Sequence, residues 1–288
     1  MSQSIDQNLV NAFNSNVELQ FQQRGSRLRP FVRVEPLNSE FEYFDRIAPV
    51  DAIERTERHG DTPTVETPHS RRRIGSRDFE IADLIDHQDK LRMLYDPSSS
   101  YILNHVYALG RKMDDVIIEA FDSDVYTKKA GGTTLTFAQD GGETVTASSG
   151  LDIETLINVK EKLTDRDQIE DGEPLYMVVT AKQISNMLNE DKLTSSDYAA
   201  VKALVRGEID TFMGFRFIRT QRLIKTGDIR ACYAWARSGM CLGVADNVKT
   251  RMSERDDKSY SVQCYAKASF GATRMWGQQV VKVNCTES

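Results

Sequence analysis

The chain has 288 residues, 40% of them hydrophobic and 28% charged, with 17 Gly and 7 Pro; this is a globular composition, not a disordered or fibrous one, and enough chain for one large or two modest domains. Thirty-seven Lys and Arg against 43 Asp and Glu give a net charge of −6, which argues against non-specific gripping of DNA, because that needs net neutralisation of phosphate. No stretch approaches the roughly 20 apolar residues of a membrane helix, and Met1 to Gln23 lacks a cationic segment followed by an apolar one, so neither a span nor a secretory signal is expected and synthesis in the cytosol is the default.

Residues 1 to 34 are rich in Gln and Asn and end in Arg24, Arg27, Arg29 and Arg33 around Pro30. They read as an extended arm. Its arginines suit contact with an acidic neighbouring surface or nucleic acid, or form a solvated basic turn. Strand-like apolar clusters follow at Phe41 to Phe44 and at Phe79, Ile81, Leu84 and Ile85, yet Asp51 to Asp78 between them holds only Ile53, Val65 and Ile74 as large aliphatics. Twenty-eight residues with three such side chains cannot build a core, and loops this long are functional or disordered. With Pro49, Pro63, Pro68 and Arg71-Arg72-Arg73, residues 36–92 read as a two-stranded excursion whose folding partner is another polypeptide, since an isolated hairpin is marginal in water.

Asp96 as N-cap and Pro97 at the first helical position open a helix. Along it Ile102, Val106, Leu109, Met113, Val116 and Ala120 draw one narrow apolar stripe ending near Phe121. Residues 127–150, rich in Gly, Thr and Ser, read as a small hairpin or flexible insertion. A helix from about Asp152 to Leu163, a buried strand Leu175 to Thr180, a helix Lys182 to Leu188, and a helix capped at Ser195 or Ser196 and ended by Gly207 make the middle an α/β unit. The last third alternates as strands: Phe215 and Phe217; Ile229, Ala231, Tyr233 and Trp235; Val248, Thr250 and Met252; and Tyr260 to Phe270, entered through a turn at Asp256-Asp257-Lys258. Val280 to Val283 is the final strand.

Signatures of chemistry are missing. The chain has no phosphate loop, dinucleotide fingerprint, zinc-protease helix or nucleophile elbow. Cys232, Cys241, Cys264 and Cys285 lie 9, 23 and 21 residues apart with no C-x-x-C, so buried free thiols are expected rather than zinc ligands. His59, His69 and His87 fall in or beside the excursion, a poor platform for acid–base catalysis, and His105 reads as a packed or surface helix residue. Asp122 and Asp124 read as a solvated pair, not a metal site. No cofactor is expected. The triplet Arg71, Arg72 and Arg73 could take phosphate; in an extended hairpin the favoured partners are carboxylates on a neighbouring subunit.

The order of parts, with Leu175-Tyr176-Met177-Val178-Val179-Thr180 before a helix, Thr194-Ser195-Ser196-Asp197-Tyr198, and Gly207 with Gly214-Phe215, resembles the major capsid proteins of tailed bacteriophages. The resemblance implies an α+β, HK97-like capsid fold with N-terminal arm (1–35), extended E-loop hairpin (36–92), peripheral domain with spine helix and hairpin insertion (93–150), axial domain (151–245) and further peripheral strands (246–288). It also implies self-assembly as hexamers and pentamers into an icosahedral head around double-stranded DNA, with no enzymatic activity. Inter-subunit contacts would fall on Arg71, Arg72, Arg73, Arg24, Arg27 and Arg29. The implied partners are other copies, a separate scaffolding protein since the chain starts almost directly at the arm, a portal and decoration proteins, with assembly in the host cytoplasm and no membrane. Some family members cross-link a Lys of the E-loop to a neighbour's Asn. Phe41 to Asp89 contains no lysine and Lys90 lies at its base, so no such cross-link is expected. Three rivals are an encapsulin shell, told apart by an enzyme cargo, a cytosolic α/β enzyme with a lid hairpin, and a DNA-binding regulator, which the net charge disfavours.

Overall fold

The computed structural model describes residues 22–56, 61–62, 64–86, 98–127, 132–147, 150–165, 169, 172–188 and 211–287. The elements in chain order are β1 (Arg33–Pro36), β2 (Phe41–Ile47), β3 (His69–Gly75), β4 (Arg77–Ile85), α1 (Ser98–Asp122), β5 (Val125–Thr127), β6 (Thr133–Leu135) and β7 (Glu143–Ala147). There follow α2 (Ile153–Thr164), β8 (Leu175–Val179), α3 (Ala181–Leu188), β9 (Thr211–Phe212), β10 (Phe215–Arg219), β11 (Lys225–Thr226) and β12 (Ile229–Ala236). The chain ends in β13 (Met240–Arg255), β14 (Ser261–Arg274) and β15 (Val280–Thr286). The expected helix cap at Asp96 and Pro97, the helix from Ser195 or Ser196 to Gly207, and His59 and His87 lie outside the described residues.

The chain divides into two compact units. The first takes its described residues from Met1–Ser26, Arg77–Met113 and Asp246–Ser269. Strict alternation gives β14 two faces here: Cys264, Ala266 and Ala268 are buried, while Tyr265 Oη–H donates to Glu80 at 2.9 Å on the opposite face. The expected turn forms as a single 3-10 turn over Asp256–Lys258, continued by Ser259 and Tyr260 at φ 51° and 60°. The Phe79 and Ile81 alternation thus belongs to β4, at the end of the sheet order β1-β13-β14-β4, whereas β2 and β3 pair with each other. His105 is buried on α1 with Nε2 2.7 Å from Asp83.

The second unit, Arg27–Ser76, Asp114–Ala245 and Phe270–Ser288, is organised on a seven-stranded sheet of order β7-β15-β12-β8-β10-β9, with β11 paired to β12. Every residue of β8 is buried, as a central strand covered on both faces requires. Its parallel neighbour β10 matches Leu175 to Phe215 and Val179 to Arg219, a pairing that demands a crossover connection. The last strand, β15, hydrogen-bonds antiparallel along all of Ile229–Trp235 and parallel to β7. It therefore lies between β7 and β12 in this sheet. Asp152 caps α2 by accepting from the Thr155 N–H at 2.7 Å, and Leu156, Val159 and Leu163 turn inward.

The narrow stripe expected on α1 broadens within this unit. Val116, Ile117, Ile118, Ala120 and Phe121 are all buried, because Phe121 stacks on Tyr233 at 4.8 Å and touches Trp235 on one side, while buried Asp114 accepts the backbone N–H groups of Arg27 and Leu28, each at 3.1 Å, on another. Those bonds, with Trp235 Nε1–H donating to the Phe31 carbonyl at 3.0 Å, seat the segment leading into β1. β1 then pairs parallel with the start of β13, Arg33 opposite Cys241.

Candidate assembly surface

The excursion is a ladder of seven antiparallel pairs between β2 and β3, from Phe41 opposite Gly75 to Ile47 opposite His69. Because side chains alternate, the arginine triplet is divided between two faces. Arg72 points inward with Phe44 and Ile74; Arg71 and Arg73 point outward with Phe41, Tyr43, Asp45 and Ile47. Within its own chain each arginine has a partner. Arg71 forms an exposed ion pair with Asp45, directly opposite it. Arg73 lies over the rings of Phe41 at 4.7 Å and Tyr126 at 4.0 Å.

Arg72 is buried, with a relative exposure of 1%, and donates through Nη2 to Asp140 and through Nε to the Met275 carbonyl at 3.3 Å. Arg274, also fully buried, donates through Nε to the other Asp140 oxygen at 3.0 Å and through Nη1 to the Phe121 carbonyl at 2.7 Å. Arg46 reaches the same Met275 carbonyl and lies over Trp276 at 4.3 Å. Burial, reinforced by the charges of Arg46 and Arg274, draws the Arg72 pKa down to about 9. Beside this polar joint Ile74 packs with Leu37, Cys241, Met275, Phe44 and Trp276. The arm base is pressed close: a Cβ on Gly271 would lie 1.9 Å from the Gly75 carbonyl, so this approach requires glycine.

Asp140 sits at the end of a turn, within the stretch where the sequence predicts a small hairpin or flexible insertion. Gly142 N–H donates to the Phe137 carbonyl at 2.9 Å and Gly141 N–H to the Ala138 carbonyl at 3.1 Å, with Gly141 at φ 86°. This is a Schellman closure, and the pair Gly141-Gly142 after Phe137 was its sequence signal.

From the last ladder pair outward, large aliphatic side chains are exposed among the described residues. Ile47, Val50, Ile53 and Val65 are 60, 48, 57 and 45% exposed. Sequence reasoning singled out Ile53 and Val65; Ile47 and Val50 were missed, although the β2 alternation puts Ile47 on the outer face. Of the N-terminal arginines, Arg24 and Arg27 are exposed and Arg29 is half-buried, and Arg27 Nη1 donates to the Arg219 carbonyl at 2.6 Å. Among the described residues no cluster of His, Cys, Asp or Glu suits a metal ion, and no helix is long and apolar enough to cross a membrane.

An α+β chain with a 25-residue helix and a hairpin anchored at its base that carries exposed aliphatic side chains has the HK97-type fold of shell-forming proteins. The sequence profile of the phage capsid protein family matches residues 5–287, and the chain belongs to that family. Three solved structures share the fold: one from Mycobacterium phage Che8 (17% identity, TM-score 0.71, covering 96% of this chain and 97% of that one), the capsid of the Cyanophage P-SCSP1u (12%, 0.75, 98% and 94%) and the mature capsid of bacteriophage PhiM1 (15%, 0.70, 95% and 90%). No curated protein matches the sequence. The chain is a major capsid protein of a phage head, a structural component of the virion that assembles into shells. The family match disfavours the encapsulin reading.

Proposed function

We propose that the protein assembles as hexamers and pentamers into the icosahedral head that encloses the double-stranded DNA of a tailed phage, and that it does so without catalysing a reaction. The observation that carries this is the arm tip: four large aliphatic side chains stand uncovered at the end of a hairpin whose base is locked to the body. Laid on an adjacent copy, those side chains leave water and offset the ordering of the arm. Many such contacts repeated around a shell give strength through multivalency. Arg71, Arg73, Arg24, Arg27 and Arg29 are the proposed contacts for carboxylates of neighbouring copies. Arg72 leaves that set, since it is buried on Asp140 of its own chain.

Assembly in the host cytoplasm with a separate scaffolding protein and a portal, and later decoration by other proteins, belong to the same reading, as family membership supports. The −6 charge supports a container that surrounds DNA without holding it. The test is a chain in which residues 50–66 are replaced by a short Gly-Ser turn. We expect a folded, soluble subunit that forms no shells in negative-stain electron microscopy. Shells of normal size from that variant would overturn the proposal.

A further inference from the structure

We infer that Asp140 is the positioning residue of the arm, the one carboxylate that holds the hairpin base at a fixed angle by joining Arg72 of β3 to Arg274 of β14. This rests on the assembly reading above and adds to it the device that aims the tip.

Three elements distant in sequence converge here, with Asp140 68 residues from Arg72 and 134 from Arg274. Each carboxylate oxygen takes one arginine, so a single side chain carries both halves of the joint. The site is rich in donors. Among the described residues Arg72 Nη1 and Arg274 Nη2 are buried with no acceptor, and Arg46 adds a third guanidinium on the Met275 carbonyl. Asp140 is the only carboxylate that either buried arginine hydrogen-bonds among the described residues. A neutral residue at 140 would leave two like charges facing each other out of water, which drives the arm base off the body. The carboxylate is itself held: the Schellman turn fixes its backbone, and Gln139 Oε1 accepts the Thr136 N–H at 3.1 Å across the same turn.

A residue that only stabilised the body would act on the whole unit. A positioning residue acts on β2 and β3 first, and through charge. The experiment compares Asp140→Asn, Arg72→Met and the double variant with the unaltered chain by hydrogen exchange on subunits and by shell counts in electron microscopy. For Asp140→Asn we expect amides of 41–47 and 69–75 to exchange at least 10-fold faster while those of β8 and β12 keep their protection, and shell yield to fall at least 10-fold. The double variant should loosen the arm no further than Asp140→Asn alone, because both substitutions break the same joint; losses that simply add overturn the inference. Uniform loss of protection in both single variants, or an unaltered arm and normal shells in Asp140→Asn, overturns the inference. If Asp140→Asn does not fold, the Arg72→Met chain decides, since it keeps the Arg274–Asp140 pair: faster exchange confined to the arm supports the inference and an unchanged arm overturns it. The tip-replaced chain separates the two readings. Normal shells from it sink the assembly role of the arm, whereas the exchange pattern of the Asp140 variants judges the joint alone.

Discussion

Glu287 closes the C-terminal strand by accepting from Arg230 at 3.0 and 3.1 Å, from Gln183 Nε2 at 2.8 Å and from Thr180 Oγ1 at 3.2 Å, with Lys225 at 3.4 Å. The Arg230 hydrogen bond, aided by Gln183 and Lys225 and opposed by burial, holds its pKa down to about 2 from the usual 4.5. A carboxylate with a depressed folded-state pKa stabilises above its unfolded value and loses that contribution as protons bind. Stability should therefore fall from about pH 4.5 down to about pH 2. Glu287→Gln should lower the melting temperature at pH 7 and flatten this acid limb in thermal melts; an unchanged limb would show that other carboxylates dominate it. The thiols give a second check at this scale. All four are buried, and none is in a disulfide. Burial pushes Cys241 up to about 12, and a hydrogen bond with Cys285, together with burial, raises Cys232. Folded subunits should resist thiol reagents until denaturant opens them, because the thiolate is the reactive form.

Elements whose pattern repeats locally were legible in the amino-acid order itself. Asp152 is a cap three residues before Thr155, and Asp152→Ala should cost about 1 kcal/mol in denaturant unfolding without changing β8 or β12. The β14 alternation was legible from Cys264 to Phe270, where Cys264, Ala266, Ala268 and Phe270 share a buried face, but not at its start, where Tyr260 is exposed and Ser261 buried. What stayed hidden depends on partners far along the chain. The second half of α1 is buried on several sides because Tyr233, Trp235 and the Arg27–Leu28 backbone reach it; a stripe read from one helix cannot register contacts from three directions. The arginine triplet read as one basic cluster, yet a strand period of two splits it. Asp140 carried no signal of its own importance, since its partners lie on β3 and β14. Gly271→Ala would test the tight approach at the arm base: the added methyl meets the Gly75 carbonyl at 1.9 Å, so exchange protection should drop in β3 first.

At the scale of the whole molecule, composition alone allowed one large or two modest domains, and the chain divides into two units, the second carrying an arm with exposed aliphatic side chains. The family resemblance was legible in the order of parts, because order survives where motifs do not. The lysine-free stretch from Phe41 to Asp89 predicts that subunits from mature particles run as monomers in denaturing electrophoresis, and a ladder of covalent oligomers would contradict it.

The place of β15 has a consequence for synthesis. This strand lies between β7 and β12, so a sheet begun at Glu143 waits for Val280–Thr286 before its middle is filled. A nascent chain cannot complete this sheet until Val280–Thr286 has left the ribosome. A polypeptide terminated before Val280 keeps two open strand edges where one strand belongs, and such edges invite aggregation or proteolysis. Chains truncated before Val280 should therefore be recovered as aggregates or proteolytic fragments, not in shells.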